Sequence, residues 1–162
     1  MSKVSNEERA EWAAIALNAY RSEAPRTLFP IPNEFERVRL GVVAAEAMAR
    51  ATRHNPADHV VNDYISAELI IGDLIVYVFH LVDDKVTPDQ IIAAAEEMRT
   101  PYPVTLTALC TVAAADAGQT AAMLAALMEA AAHFGCDLPE TVAQAKDFYE
   151  EEKAEEEAEQ DA

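Results

Sequence analysis

Two acidic residues in apolar surroundings are the clearest candidates for chemistry in this sequence. Asp73 is the one carboxylate in the run Leu69–Val82, and Glu46 stands among alanines in the segment Val42–Ala51. A carboxylate removed from water is unfavourable unless a cation or a hydrogen-bond donor accompanies it. Protein-bound Mg²⁺ takes oxygen ligands, usually one or two carboxylates together with phosphate oxygens. One prediction is therefore that Asp73 and Glu46 are the metal ligands of a site whose cofactor is Mg²⁺.

Asp73 also belongs to a polar stripe along its predicted helix. Steps of three and four residues place the members of this stripe on one helix face, and they are Asn62, Ser66, Leu69, Asp73, Tyr77 and His80. Two alternatives to a metal site follow. Asp73 can form a hydrogen-bonded buried pair with Tyr77 or with an arginine of the preceding helix, namely Arg39, Arg50 or Arg53. The stripe can instead face solvent or a second copy of the chain.

Motifs of the common enzyme classes do not occur in the sequence. It has no glycine-rich phosphate loop, no nucleophile elbow and no Cys/His pair at metal spacing. The four histidines form neither an HxxxH nor an HExxH pattern, so zinc is not predicted. Near the end of a helix, His80 is more typical of a favourable partner for the helix dipole than of a catalytic base.

Helix signals recur along the chain, and no segment is typical of a strand. Capping residues precede apolar residues at helical spacing near residues 5, 33, 87 and 137. The third helix is expected over Pro56–Val82 and, being apolar almost all round, at the centre of the molecule. The segment Val104–His133, interrupted near Gly118, predicts one bent helix or two. The fold class is therefore an all-α bundle of six or seven helices.

Charge divides the chain unevenly. The net charge is −17 over 162 residues, and the segment from residue 150 to residue 162 holds eight acids and one lysine. We expect a helical domain over residues 1–149, whose last helix starts at Pro139 and frays into an acidic, mobile tail over residues 150–162. Without a basic surface, direct nucleic-acid binding is not expected. A basic protein partner fits this charge.

The sequence predicts a cytoplasmic protein. No basic stretch leads into an apolar one near the start, and the run Leu69–Val82 is interrupted by Gly72, Asp73 and His80. Neither a signal peptide nor a membrane span is expected from this pattern. The two cysteines form no CxxC motif, which is typical of reduced thiols.

The segment Glu68–Ile92 resembles the second half of the all-α nucleotide pyrophosphohydrolases of the MazG-like group. In that family a Glu-x-x-Asp motif opens an apolar helix, and a Glu-x-x-Glu motif lies on the helix before it. Asp73 matches the Asp position and Glu46 the second Glu, whereas Val43 and Ile70 occupy the first position of each motif. The likeness covers roughly residues 35–98.

This resemblance implies Mg²⁺ bound against a triphosphate, with Glu46 and Asp73 as the catalytic residues, and a site built in a dimer. Because two of the family's four carboxylates are absent, the expected function is that of a divergent or catalytically degenerate nucleoside triphosphate pyrophosphohydrolase. Two alternatives remain open. One is a non-enzymatic acidic interaction or inhibitor protein that binds a basic partner. The other is an assembly protein whose alanine-rich helices pack against further copies.

Overall fold

The computed structural model describes residues 3–101 and 105–161, and within these ranges all regular structure is helical. The prediction of an all-α bundle of six or seven helices is confirmed, with seven α-helices and one short 3-10 helix, η1. In chain order these are α1 (Asn6–Glu23), α2 (Glu34–Thr52), η1 (Pro56–His59), α3 (Tyr64–Leu81), α4 (Pro88–Arg99), α5 (Thr107–Ala114), α6 (Gly118–His133) and α7 (Leu138–Gln160).

Four of the helices begin at the capping residues that the sequence predicts. Ser5 and Thr87 form reciprocal capping boxes at the starts of α1 and α4. Asn33 and Asp137 accept the hydrogen bond of a backbone N–H in the first turns of α2 and α7. Each such bond satisfies an N–H group that the helix leaves free and is worth about 1 kcal/mol. Local sequence therefore fixes these four helix starts.

The third helix begins later than its apolar pattern predicts. Pro56 opens the separate helix η1, and the chain is extended at Val60 before α3 starts at Tyr64. Asp63 caps α3 by accepting a hydrogen bond from the N–H of Ser66 at 2.8 Å, and the Ser66 hydroxyl bonds back to the Asp63 backbone. The expected helix Pro56–Val82 is wrong because this capping box places a helix start inside it.

The centre of the bundle is α6, whereas the sequence places α3 there. Every residue from 120 to 131 in α6 is buried, and only half of the residues of α3 are. The closest approach is between α6 and α2, where a Cβ atom added to Gly41 would lie 2.2 Å from the carbonyl oxygen of Ala126. Glycine and alanine allow this contact because they keep the two backbones free of bulk.

The segment between α4 and α7 contains two helices. The sequence left open one bent helix or two, and the structure resolves this into α5 and α6, which are separated at Asp116, a residue with a positive φ of 61°. Val104, where the predicted segment begins, lies outside the described residues.

The acidic segment continues α7 past the predicted boundary at residue 150. The helix ends at Gln160 and packs its acidic half against α1. Glu152 accepts a hydrogen bond from His80 at 2.7 Å and lies 3.2 Å from Nε of Arg9, while Glu156 accepts a hydrogen bond from the side-chain amide of Asn6 at 2.8 Å. Residues 150–160 are thus helical and contact α1 and α3. The division into a domain over residues 1–149 and a mobile tail over residues 150–162 stays a prediction.

A buried carboxylate ties three helices together. Glu129 of α6 accepts hydrogen bonds from Arg37 of α2 and Arg99 of α4, each at 2.8 Å. Its side chain is 9% exposed. Burial raises the pKa of the Glu129 carboxyl, but the two arginines outweigh that effect and hold the pKa below its usual value. Removing one member of a buried ion pair strongly destabilises a protein, because the remaining charge is left buried and unpaired.

Gly41→Ala is expected to destabilise the protein, because the added methyl group meets α6 backbone that cannot move away. The expected loss in the free energy of unfolding is about 2 kcal/mol. Gly72→Ala is the matched control, since a Cβ there would have no atom within 4 Å apart from its chain neighbours and the backbone of its own helix. It should raise stability by up to ~1 kcal/mol through helix propensity. Urea unfolding followed by circular dichroism measures both; equal effects of the two substitutions would contradict the packing of α2 on α6.

Glu129→Gln is expected to lower the free energy of unfolding by about 2–3 kcal/mol at pH 7, since it leaves two arginines without a counter-charge. Because the folded-state pKa of Glu129 is depressed, its contribution is present above the unfolded-state pKa and is lost as the pH falls below about 4.5. The difference between the two proteins should therefore shrink in acid. The exposed Glu151→Gln serves as control, and a pH-independent difference would argue against the ion pair.

Candidate functional site

Asp73 lies at the edge of the bundle, where it pairs with the arginine that ends α2. Arg53 is the C-cap residue of α2 and donates from Nη2 to Oδ2 of Asp73 at 2.8 Å. The Asp73 side chain is 51% exposed and that of Arg53 is 23% exposed. Of the partners considered from sequence, an arginine of the preceding helix is therefore the one observed. The pair is half exposed, and such pairs contribute little to stability.

The electrostatic environment of Asp73 disfavours its charged form. Removal from water raises the pKa of the Asp73 carboxyl, and Arg53 lowers it by a smaller amount. The negative charge of Glu152 on α7 raises it further. The net pKa therefore lies above the usual value for an aspartate, in spite of the ion pair. At neutral pH the ionised form of Asp73 is therefore less favourable in the folded protein than in water.

Glu46 connects α2 to the segment that precedes α3. Its Oε2 accepts a hydrogen bond from the backbone N–H of Val61 at 2.9 Å, and Val61 itself is buried. A buried backbone donor needs an acceptor, which gives Glu46 a structural reason to stand among alanines. Glu46 and Asp73 thus bind different donors. Across residues 3–101 and 105–161 no three His, Cys, Asp or Glu side chains are grouped to hold a metal ion, and the Mg²⁺ site stays a prediction.

The other members of the polar stripe contact partners on separate elements. His80 is hydrogen-bonded to Glu152 of α7, and the ring of Tyr77 lies 5.3 Å from that of Trp12 on α1. Burial raises the pKa of Tyr77 to about 12. Near the start of α3, Ser66 accepts a hydrogen bond from the N–H of Asn62 at 3.0 Å. The stripe therefore follows the seams between α3 and its neighbours and does not converge on one site.

An apolar face remains uncovered along α3. Five of the eight exposed large hydrophobic side chains in the described residues are at or beside this helix, and they are Val60, Tyr64, Ile65, Leu69 and Phe148. Ile65 and Leu69 are the most exposed of these, at 65% and 61%. We use the term apolar face for Val60, Ile65, Leu69, Gly72 and Phe148. Contiguous exposed apolar groups on a folded protein mark contact sites.

Two shallow cavities meet on the apolar face. The first, of about 550 Å³, lies between α3 and the segment around η1, and Val60 and Ile65 line it. The second, of about 420 Å³, lies between α3 and α7, and Gly72 and Phe148 line it. Leu69 lines both cavities and stands as the ridge between them. The surface therefore has relief that side chains of another molecule can fill.

The rim of the apolar face is acidic. Asp58 and Asp63 line the first cavity and Glu68 and Asp73 the second, whereas Arg53, already paired with Asp73, is the one cation among the lining residues of the two. The four carboxylates and one arginine that line the two cavities make the charge at the apolar face net negative. The acidic end of α7 is not needed for this.

Sequence reasoning named Asp73 but missed the apolar face around it. The sequence did contain a signal for it. By its spacing Leu69 lies on the same helix face as the polar residues of the stripe, and an apolar residue on a polar face is a candidate for contact with another molecule. Gly72 is a second signal, since glycine is unfavourable inside a helix. Phe148 gave no such sign, because its contribution depends on how α7 packs against α3.

α3 is also long and apolar enough, by length and composition alone, to cross a membrane, and half of its residues are buried in the bundle. The sequence-based expectation of no membrane span rested on the shorter, interrupted segment Leu69–Val82. A helix in the core of a bundle meets the same criterion.

No protein-family model, no curated protein and no solved structure gives a significant match to this chain. The site is therefore described by its own geometry.

Asp73→Asn is expected to preserve or raise stability at pH 7. The folded-state pKa of Asp73 is raised, so its ionisation opposes folding above that pKa, and the opposition disappears as the pH falls through it. The difference between the variant and the original protein should thus be largest at neutral pH and vanish in acid. Urea midpoints between pH 3 and 7 provide the measurement. A clear loss of stability at pH 7 would show instead that the Arg53 pair outweighs burial.

Proposed function

We propose that this protein is a non-enzymatic interaction protein that binds a basic protein partner on its apolar face. The observation that carries the proposal is the exposure of Ile65 and Leu69 on α3 beside Phe148 of α7. Burial of such side chains on association is favourable by roughly 25 cal/mol for each Å² removed from water. The core of the protein is formed by other residues. Ile65, Leu69 and Phe148 therefore do not need to be apolar for the chain to fold.

The acidic rim favours a basic partner over other occupants of the apolar face. A second copy of the chain would bring a like rim of carboxylates close to the first, which is unfavourable. Anionic lipid headgroups would meet the same repulsion. Lysine or arginine side chains flanking an apolar contact would complement the charges of Asp63 and Glu68. At the rim these charged groups would keep most of their contact with water.

The arrangement of the carboxylates favours binding over pyrophosphate hydrolysis. Two-metal chemistry on a triphosphate needs several free carboxylates around the ions. Here Glu46 accepts from the Val61 backbone and Asp73 from Arg53, and apolar Val43 and Ile70 stand where the resembling family has glutamates.

The proposed function is tested by comparing the proteins captured by the full chain and by Leu69→Asp. Ile15→Asp on α1 is the matched control, because Ile15 is also an exposed apolar side chain but lines neither cavity of the apolar face. We expect a basic protein that binds the original chain and the control, and whose binding to Leu69→Asp is weaker by about 100-fold. Each captured protein is then purified and titrated in increasing salt, which should weaken binding.

Equal binding to Leu69→Asp and to the original chain would overturn the proposal. So would pyrophosphate release from deoxynucleoside triphosphates with Mg²⁺ that Glu46→Gln and Asp73→Asn abolish, since that result restores the pyrophosphohydrolase alternative.

A further inference from the structure

We infer that the occupant of the apolar face is an amphipathic α-helix with basic edges, which crosses α3 at Gly72. This inference rests on the proposed function and adds the partner's secondary structure and the point of closest approach. Three observations support it: the open space above Gly72, the ridge at Leu69 and the charge of the rim.

Gly72 has no internal reason to be glycine. A Cβ added at Gly41 would strike α6, one added at Gly118 would lie 2.9 Å from Leu28, and Gly135 has a positive φ of 93°. At Gly72, in contrast, the added Cβ would have no atom within 4 Å apart from its chain neighbours and the backbone of its own helix. Glycine inside a helix is about 0.8–1 kcal/mol less favourable than alanine. Without a side chain at this position, the backbone of a second molecule can approach α3 closely. Such an approach explains why residue 72 is glycine.

The spacing of the apolar face matches a helix better than other elements. Ile65, Leu69 and Gly72 lie at positions i, i+4 and i+7 and so form one line along α3. A helix laid across this line can place one apolar side chain in the cavity on each side of Leu69, as partner helices do in apolar grooves. A strand would need an exposed sheet edge for its backbone groups, and the described residues contain no strand. A helix satisfies those groups within itself.

The rim sets the polarity of the occupant's edges. Asp58 and Asp63 stand beside the first cavity, and Glu68 and Asp73 beside the second. Carboxylates therefore flank the line of apolar residues on both of its sides. Lysine or arginine on both edges of the occupant would lie over them, whereas an acidic helix would be repelled.

The test is a selection of displayed helical peptides of about 20 residues, long enough to span the face. One face of the peptide is randomised, the full chain is the target, and binders to Leu69→Asp are removed. Purified binders are then titrated against Gly72→Ala, Gly72→Leu and the control Ala93→Leu, which adds the same bulk at an exposed position of α4. Gly72 is partly exposed and Ala93 is exposed, and circular dichroism confirms that each of the three variants is folded.

We expect selected peptides to carry an apolar ridge with lysine or arginine on both edges. Gly72→Leu should weaken their binding by at least about tenfold, Gly72→Ala by less, and Ala93→Leu not at all. Failure to select binders, acidic edges on them, or full affinity for Gly72→Leu would overturn the inference.

The last of these outcomes separates the two claims. Peptides that need Leu69 but tolerate Gly72→Leu leave the proposed function intact and refute the crossing at Gly72. Captured protein partners that are indifferent to Leu69→Asp refute the proposed function itself.

Discussion

α3 carries more apolar surface than the rest of the chain covers, and the organisation of the molecule depends on this imbalance. One side of the helix, with Leu74, Ile75 and Phe79 fully buried, is part of the core. The other side, with Ile65 and Leu69, meets solvent. Burying the first side drives the packing of α1, α6 and α7 around it. The exposed side is then available for contact with another molecule.

Polar contacts around α3 determine which of its sides is covered. Glu46 holds the backbone of Val61, so the segment before α3 stays against α2 and leaves the start of the helix open. At the other end of α3, the hydrogen bond between His80 and Glu152 holds α7 against the helix. Between them Asp73 meets Arg53 at the border of the apolar face. Of the two residues that first suggested catalysis, Glu46 thus holds the segment before α3 in place, and Asp73 forms a half-exposed ion pair.

The acidic end of α7 shows how a charged segment can belong to a packed structure. Its carboxylates face cations and amides of α1 and of the residues before it, including Lys3 2.6 Å from Glu159 and, at the start of α1, Asn6 2.8 Å from Glu156. Interactions of this kind are individually weak when exposed. They nevertheless direct one side of the helix toward α1. Part of the acidity of this segment is thus paired within the chain, while the net charge of the protein stays at −17.

The fold class could be predicted from sequence because its signals are local. Capping residues such as Ser5 and Asn33 mark helix starts, and periodic apolar residues mark buried sides. The position of each helix could not be predicted in this way. α3 has the apolar composition of a central helix, yet the small residues of α6 and the close approach at Gly41 give that place to α6.

The candidate site was harder to predict for a related reason. The partners of Asp73 and Glu46 come from other elements, and no local pattern tells an arginine or a backbone N–H from a metal ion. Leu69 carried a usable signal in its spacing with polar residues, whereas Phe148 reaches the same surface only through the packing of α7 on α3.

Side-chain labelling by a photogenerated carbene, read out by mass spectrometry, tests the central claim most directly. The account predicts strong labelling of Leu69 and Phe148 in the purified chain at every concentration, next to unlabelled Ile71 and Phe79, and loss of labelling at the first two when the basic partner is added. Protection of Leu69 and Phe148 in the dilute, unbound chain would contradict it, because the apolar face would then be covered by the protein itself.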